Sequence, residues 1–124
     1  MDGKKRILLI EDERDLVTAI TFRLEDAGYT IIPAYDGEEG LAKAKEEMPD
    51  LILLDLMLPK MNGYKVCTTL KADAKYKRIP ILILTAKAQE VDRRMSEQSG
   101  ADAYIAKPFE PRELIQTIKR LLKE

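Results

Sequence analysis

The 124-residue chain has no histidine, and Cys67 is its lone cysteine. Those two absences exclude disulfide frameworks, zinc clusters, Cys-His nucleophile pairs and the Ser-His-Asp triad. A surplus of charge is also missing. With 21 Lys and Arg against 22 Asp and Glu the formal net charge is -1, so no basic excess argues for direct nucleic-acid or anionic-membrane contact. No apolar run approaches the roughly 18 residues of a membrane span, and Met1 to Ile10 is too short for a signal peptide. A reducing, cytoplasmic setting is expected. The length is that of one domain, residues 1–124, large enough for a core without disulfides or structural zinc.

What the chain does have is an alternation of short apolar runs and longer amphipathic stretches. The runs Arg6 to Ile10, Thr30 to Ala34, Leu51 to Leu54, Ile79 to Leu84 and Ala103 to Ala106 read as five strands. Between the first two, Leu16, Val17, Ile20, Leu24 and Ala27 recur at helical spacing, and Gly28 supplies a left-handed stop. Gly37 to Met48, ended by Pro49, and Tyr64 to Ala74, with Val66, Cys67 and Leu70 inward, read as further helices. Pro111 opens a last helix whose stripe is Leu114, Ile115, Ile118, Leu121 and Leu122. Glu90 to Ser99 reads as a helix with only Val91 and Met95 to anchor it, hence a mobile element. Alternating strand and helix imply an α/β fold: a doubly wound five-stranded parallel sheet, strand order 2-1-3-4-5, flavodoxin-like, with helices on both faces.

In such a sheet ligands sit beyond the carboxyl ends of the strands, where the winding reverses between strands 1 and 3. Strand 1 runs into Glu11 and Asp12, strand 3 into Asp55, strand 4 into Thr85 and strand 5 into Lys107. Asp55 closes the most apolar stretch of the chain, LILLD, where an unpaired buried carboxylate would cost several kcal/mol. Three carboxylates against one ammonium repel unless a cation intervenes. Oxygen donors without sulfur or imidazole suit Mg²⁺, which keeps part of its shell for waters and a phosphate oxygen. Asp55 is then a metal-neutralised nucleophile toward phosphorus, with Lys107 and the Thr85 hydroxyl on the transferring oxygens. Bland readings stand beside these. Glu11 and Asp12 could simply start a helix, Asp55 could be a cap, and Lys107 a solvated loop lysine. Tyr104 reads as an edge-strand aromatic with its hydroxyl in water, or as a side chain that swings inward when the site fills. Met57, Met61 and Cys67 read as core or loop packing, with no reactivity for Cys67.

Taken together, Glu11-Asp12, Asp55 within LLDLMLPKMNG, Thr85-Ala86 and Lys107-Pro108-Phe109 resemble the receiver domain of bacterial two-component response regulators, the chemotaxis-regulator-like kind, from Lys5 to Leu122. The resemblance implies that Asp55 accepts a phosphoryl group from the phosphohistidine of a sensor histidine kinase or phosphotransfer protein. It implies Asp12, Asp55 and the Met57 backbone carbonyl as direct Mg²⁺ ligands, and Glu11 as a ligand through water. Thr85 and Tyr104 become the switch pair and Lys107 the phosphoryl-contacting lysine, in a Lys-Pro peptide that is usually cis. Readout would run through the face of the 90–99 helix, the fifth strand and the last helix to an output protein, an effector domain or a phosphorylation-dependent homodimer. No effector domain is visible in the sequence, and a free-standing regulator or a piece of a longer one both fit. Glu11, in place of the commoner aspartate, and Met57 and Lys87, flanking the acceptor and the switch threonine, leave the phosphoryl lifetime open.

Two rivals share parts of this pattern. A phosphatase of the haloacid dehalogenase type needs a second aspartate two residues past the first, where this chain has Met57, and room for a cap domain. A flavin-binding module on the same fold needs donors after strand 1, where Glu11, Asp12 and Glu13 would repel a phosphate.

Overall fold

The structure, a computed structural model, describes residues 3–86, 94 and 98–124. Strands β1 (Arg6–Ile10), β2 (Thr30–Ala34), β3 (Leu51–Asp55), β4 (Ile81–Thr85) and β5 (Ala103–Ala106) form one parallel sheet in the order β2-β1-β3-β4-β5. Among the described residues four helices cover it: α1 (Arg14–Asp26), α2 (Gly37–Glu47), α3 (Gly63–Lys71) and α4 (Pro111–Leu121). The expected α/β class, strand order and two-sided cover are all borne out.

The period of two along each strand divides the core into two layers. Leu8, Ile10, Ile52, Leu54, Ile81 and Ile83 face Ala44, Val66, Cys67 and Leu70 of α2 and α3. Ile7, Leu9, Leu53, Leu82, Leu84 and Ile105 face Val17, Ile20 and Leu24 of α1 and Leu114 and Ile118 of α4. Because β1, β3 and β4 have neighbours on both sides and helices above and below, they read as continuous apolar runs. Pro33 fits β2 because that strand is an edge.

Several boundaries differ from the sequence reading, each for a local reason. Strand β4 starts at Ile81, two residues later than expected. The Ile79 carbonyl accepts from Lys71 Nζ at 2.9 Å, and Pro80 has no N–H to offer a neighbour. Helix α2 stops at Glu47, and Met48 before Pro49 turns left-handed at φ 47°, out of the α region that a following proline disfavours. Helix α3 begins a residue early at Gly63, because the Asn62 side chain accepts from Lys65 N at 3.0 Å, and it ends at Lys71 rather than Ala74. The helix expected over 90–99 falls largely outside the described residues.

The amino ends of β4 and β5 are held by one clamp. Asp102 Oδ2 accepts from Ile81 N at 2.8 Å and from Lys71 Nζ at 2.8 Å, while Lys71 also donates to the Lys77 carbonyl at 3.0 Å. Asp102→Ala should therefore lower the unfolding free energy by about 1–3 kcal/mol, the cost of orphaning such donors, as measured by urea denaturation. A change below a few tenths would mean the clamp is redundant.

Candidate functional site

The sheet brings its carboxyl ends together at one edge. Asp55 is the last residue of β3 and pairs in register with Leu84, one residue before Thr85, which in turn pairs with Ala106 before Lys107. Strand β1 ends beside them and delivers Glu11, whose amide donates to the Ala34 carbonyl of β2 at 2.9 Å. Glu11, Asp12 and Asp55 each present a carboxylate oxygen within 4.8 Å of the other two. Glu11 and Asp55 are only 2% and 5% exposed, whereas Asp12 is open to solvent. Burial of two carboxylates at the end of an apolar sheet is not explained by helix capping, since α1 takes Glu13 as its N-cap.

Lys107 meets this cluster from β5. Its ammonium lies 2.8 Å from Glu11 Oε1 and 3.5 Å from Asp55 Oδ1, so its shorter pairing is with Glu11, a partner the sequence did not indicate. The second Glu11 oxygen accepts from Glu13 N at 3.1 Å. Burial pushes the Glu11 carboxyl above its ordinary pKa, although Lys107 and the Glu13 amide pull the other way. Burial alone would lower Lys107, but its hydrogen bond to Glu11 and the charge of Asp55 outweigh that, and the lysine is held above its ordinary value. The ammonium therefore stays charged, and two formal negative charges remain in excess.

Of the other expected residues, Thr85 is fully buried at the end of β4. Tyr104 pairs in register with Ile83 and packs, half-buried, on the core layer under α2 and α3. Met57 is 58% exposed, a correction to the packing role expected for it, whereas Met61 packs on the core and Cys67 is fully buried. Burial raises the Cys67 thiol above its ordinary value, which fits its lack of an assigned reactivity. The Lys107–Pro108 peptide is cis, as the resemblance implied.

All three clustered donors are carboxylate oxygens, the set suited to a hard divalent ion; these residues could hold a metal ion. The profile described as "Response regulator receiver domain" matches residues 7–119. The chain belongs to the response regulator receiver domain family. Among curated relatives it is 47% identical over 119 residues to the alkaline phosphatase synthesis transcriptional regulatory protein PhoP of Bacillus subtilis, covering 96% of this chain and 49% of PhoP. It is 43% identical to the DNA-binding dual master transcriptional regulator RpaA of Synechocystis, covering 95% of this chain and 49% of RpaA. The chain thus spans about half the length of the curated relatives it matches. Among solved structures, the CheY-like receiver domain protein of Methanospirillum hungatei is 33% identical, with a TM-score of 0.91, over 98% of this chain and 95% of that one. The receiver domain of sensor histidine kinase PA1611 from Pseudomonas aeruginosa, with magnesium coordinated in its active-site cleft, is 34% identical, with a TM-score of 0.91, over 98% of this chain and 100% of that one.

This receiver domain is accordingly of the two-component phosphorelay class, as its motifs suggested. The expectation of no direct nucleic-acid contact does not extend to the longer relatives, since RpaA is named as DNA-binding. Among the described residues no helix is long and apolar enough to cross a membrane.

The surplus charge has a measurable consequence. In the presence of chelator, Asp55→Asn should be more stable than the wild type by ~1 kcal/mol, since it removes repulsion between carboxylates at short range. Lys107→Ala should be less stable, because it leaves buried carboxylates without their counter-charge. Thermal midpoints in the same buffer check both signs.

Proposed function

We propose that this receiver domain takes a phosphoryl group onto Asp55 in a Mg²⁺-dependent reaction and thereby changes the surface it offers to an output partner. The observation that carries the proposal is the placement of Asp55: last in a buried strand, with two carboxylates from the β1 end and the Lys107 ammonium around it. Asp12, Asp55 and the Met57 backbone carbonyl would hold Mg²⁺ directly, and Glu11 through water. Bound there, Mg²⁺ supplies charge neutralisation for the carboxylates and for the oxygens of the incoming group.

The donor is a phosphohistidine of a sensor histidine kinase or phosphotransfer protein. An Asp55 oxygen attacks phosphorus, the P–O bond forms as the P–N bond breaks, and the imidazole leaves with its electron pair. No general base is required, because the attacking carboxylate is already ionised. Lys107, held charged by Glu11 and Asp55, stabilises the equatorial oxygens, and the Thr85 hydroxyl donates to the aspartyl phosphate. Pairing of Lys107 and Thr85 with the phosphoryl oxygens would pull the ends of β4 and β5 together. Tyr104 on β5 would follow as the second member of the switch, biasing the face made by the 90–99 segment, β5 and α4. That face serves an output protein, an effector domain or a second copy of the chain. Release of phosphate from Asp55 is slow self-hydrolysis, and no external small phosphate ester is turned over. The setting is cytoplasmic.

Intact mass after incubation with a small phosphodonor and Mg²⁺ should show one added phosphoryl group, labile to hydroxylamine and absent with chelator or in Asp55→Ala. Modification at another residue would overturn the assignment. In Lys107→Ala the contrast in amide exchange of β5 and α4, with and without a phosphate mimic, should vanish while Asp55 is still modified. Persistence of the wild-type contrast would remove Lys107 from the switch.

A further inference from the structure

The loop between β3 and α3, which contains Met57, is braced from outside the site by the start of α2. The Gly37 amide donates to the Pro59 carbonyl at 3.3 Å. A Cβ on Gly37 would overlap the Met61 carbonyl oxygen and stand 2.7 Å from its carbon, both backbone atoms that cannot rotate away. Asp36, the N-cap of α2, accepts from Glu39 N at 2.8 Å and has the Lys60 ammonium 3.7 Å from its other oxygen. Between these contacts the loop makes a tight turn: Met61 N donates to the Pro59 carbonyl at 2.7 Å with Lys60 at φ 68°, the rare and strained form of γ-turn. At its far end the loop is fastened by Gly63 N to the Leu56 carbonyl at 3.1 Å.

A loop in a strained turn needs outside contacts to hold it, and here the Gly37 contacts with the Pro59 carbonyl and the Met61 carbonyl group are backbone against backbone, supplemented by the Asp36–Lys60 ion pair. We infer that Gly37, with Asp36, is a positioning residue for the metal site: the start of α2 sets where the Met57 carbonyl stands relative to Asp12 and Asp55. This rests on the reading in which that carbonyl ligates Mg²⁺. Neither Gly37 nor Asp36 touches the ion in this account; both act through the loop, as outer partners of ligands do elsewhere.

Calorimetric titration of the whole chain with Mg²⁺ tests it. Gly37→Ala should weaken Mg²⁺ binding about 10- to 100-fold, the range typical of lost outer-shell support, and should shift the amide resonances of Met57 to Met61 even without metal. Gly28→Ala, which strains a left-handed residue at φ 100° after α1, serves as a destabilised control and should bind Mg²⁺ like the wild type. If Gly37→Ala does not fold, Asp36→Ala and Asp36→Asn decide. The first loses the cap and should bind more weakly; the second keeps a capping oxygen while losing the charge and should recover most of the affinity. Undiminished affinity in Asp36→Ala would overturn the brace. Wild-type binding with undiminished affinity in Gly37→Ala overturns the inference alone. Absence of binding by the wild type overturns the site reading and the inference with it.

Discussion

Two buried carboxylates share one ammonium at the carboxyl edge of the sheet, with a third carboxylate beside them at the rim, and the rest of the molecule is arranged to hold them there. Left to themselves they would separate or take up protons, since like charges a few ångströms apart repel by several kcal/mol even at an effective dielectric of about 20. They stay because β1 and β3 cannot slide apart. Leu8, Ile10, Ile52 and Leu54 are fully buried, and each such side chain contributes about 1.5–3 kcal/mol by leaving water. The hydrophobic layers therefore exceed the repulsion, and the excess charge persists as a standing attraction for a cation.

The same geometry explains why Lys107 leans on Glu11 more closely than on Asp55. Glu11 is the carboxylate with the least solvent and one oxygen already occupied by Glu13 N. It needs a counter-charge more than Asp55 does, and the pairing leaves the Lys107 charge near Asp55 without saturating it. In the proposed reaction, a lysine committed to Asp55 at 2.8 Å would have to break that bond to meet an incoming phosphoryl group. At 3.5 Å it has less to give up.

Legibility from sequence followed the range of the interactions. The strands were readable because leucine and isoleucine runs report burial on both faces of a parallel sheet, and the site was readable because each run ends in a residue whose chemistry is wrong for a core. The first helix and the last declared themselves by a stop glycine and an opening proline. What could not be read depends on partners distant in the chain. The start of β4 is fixed by Lys71 and Asp102, and the backbone contact of Gly37 with Met61 by the packing of α2 against the following loop. Gly37 looked like an ordinary residue early in a helix, because a contact spanning two elements leaves no local pattern. The glycine itself was the one available signal: a residue with poor helix propensity beginning a helix that Asp36 caps.

The two edges of the sheet treat charge in opposite ways. At the amino edge, Lys71 meets Asp102, and Arg6 pairs with Glu47 while its amide donates to Asp50, so side-chain charges close off strand ends that would otherwise leave backbone groups unpaired. At the carboxyl edge the backbone is closed by loops and helix starts, and the side-chain charges are left in excess. A sheet compensated at both edges would be more stable and inert. Leaving one edge uncompensated lowers stability slightly; under the proposed function it creates an equilibrium that a metal ion and a phosphoryl group would displace, which is the physical requirement for a switch. The strained loop belongs to that edge as well. Its turn at Lys60 is tolerable only because α2 supports it from behind, so the structure places its backbone strain and its unbalanced charge side by side, each held by the packed layers beneath.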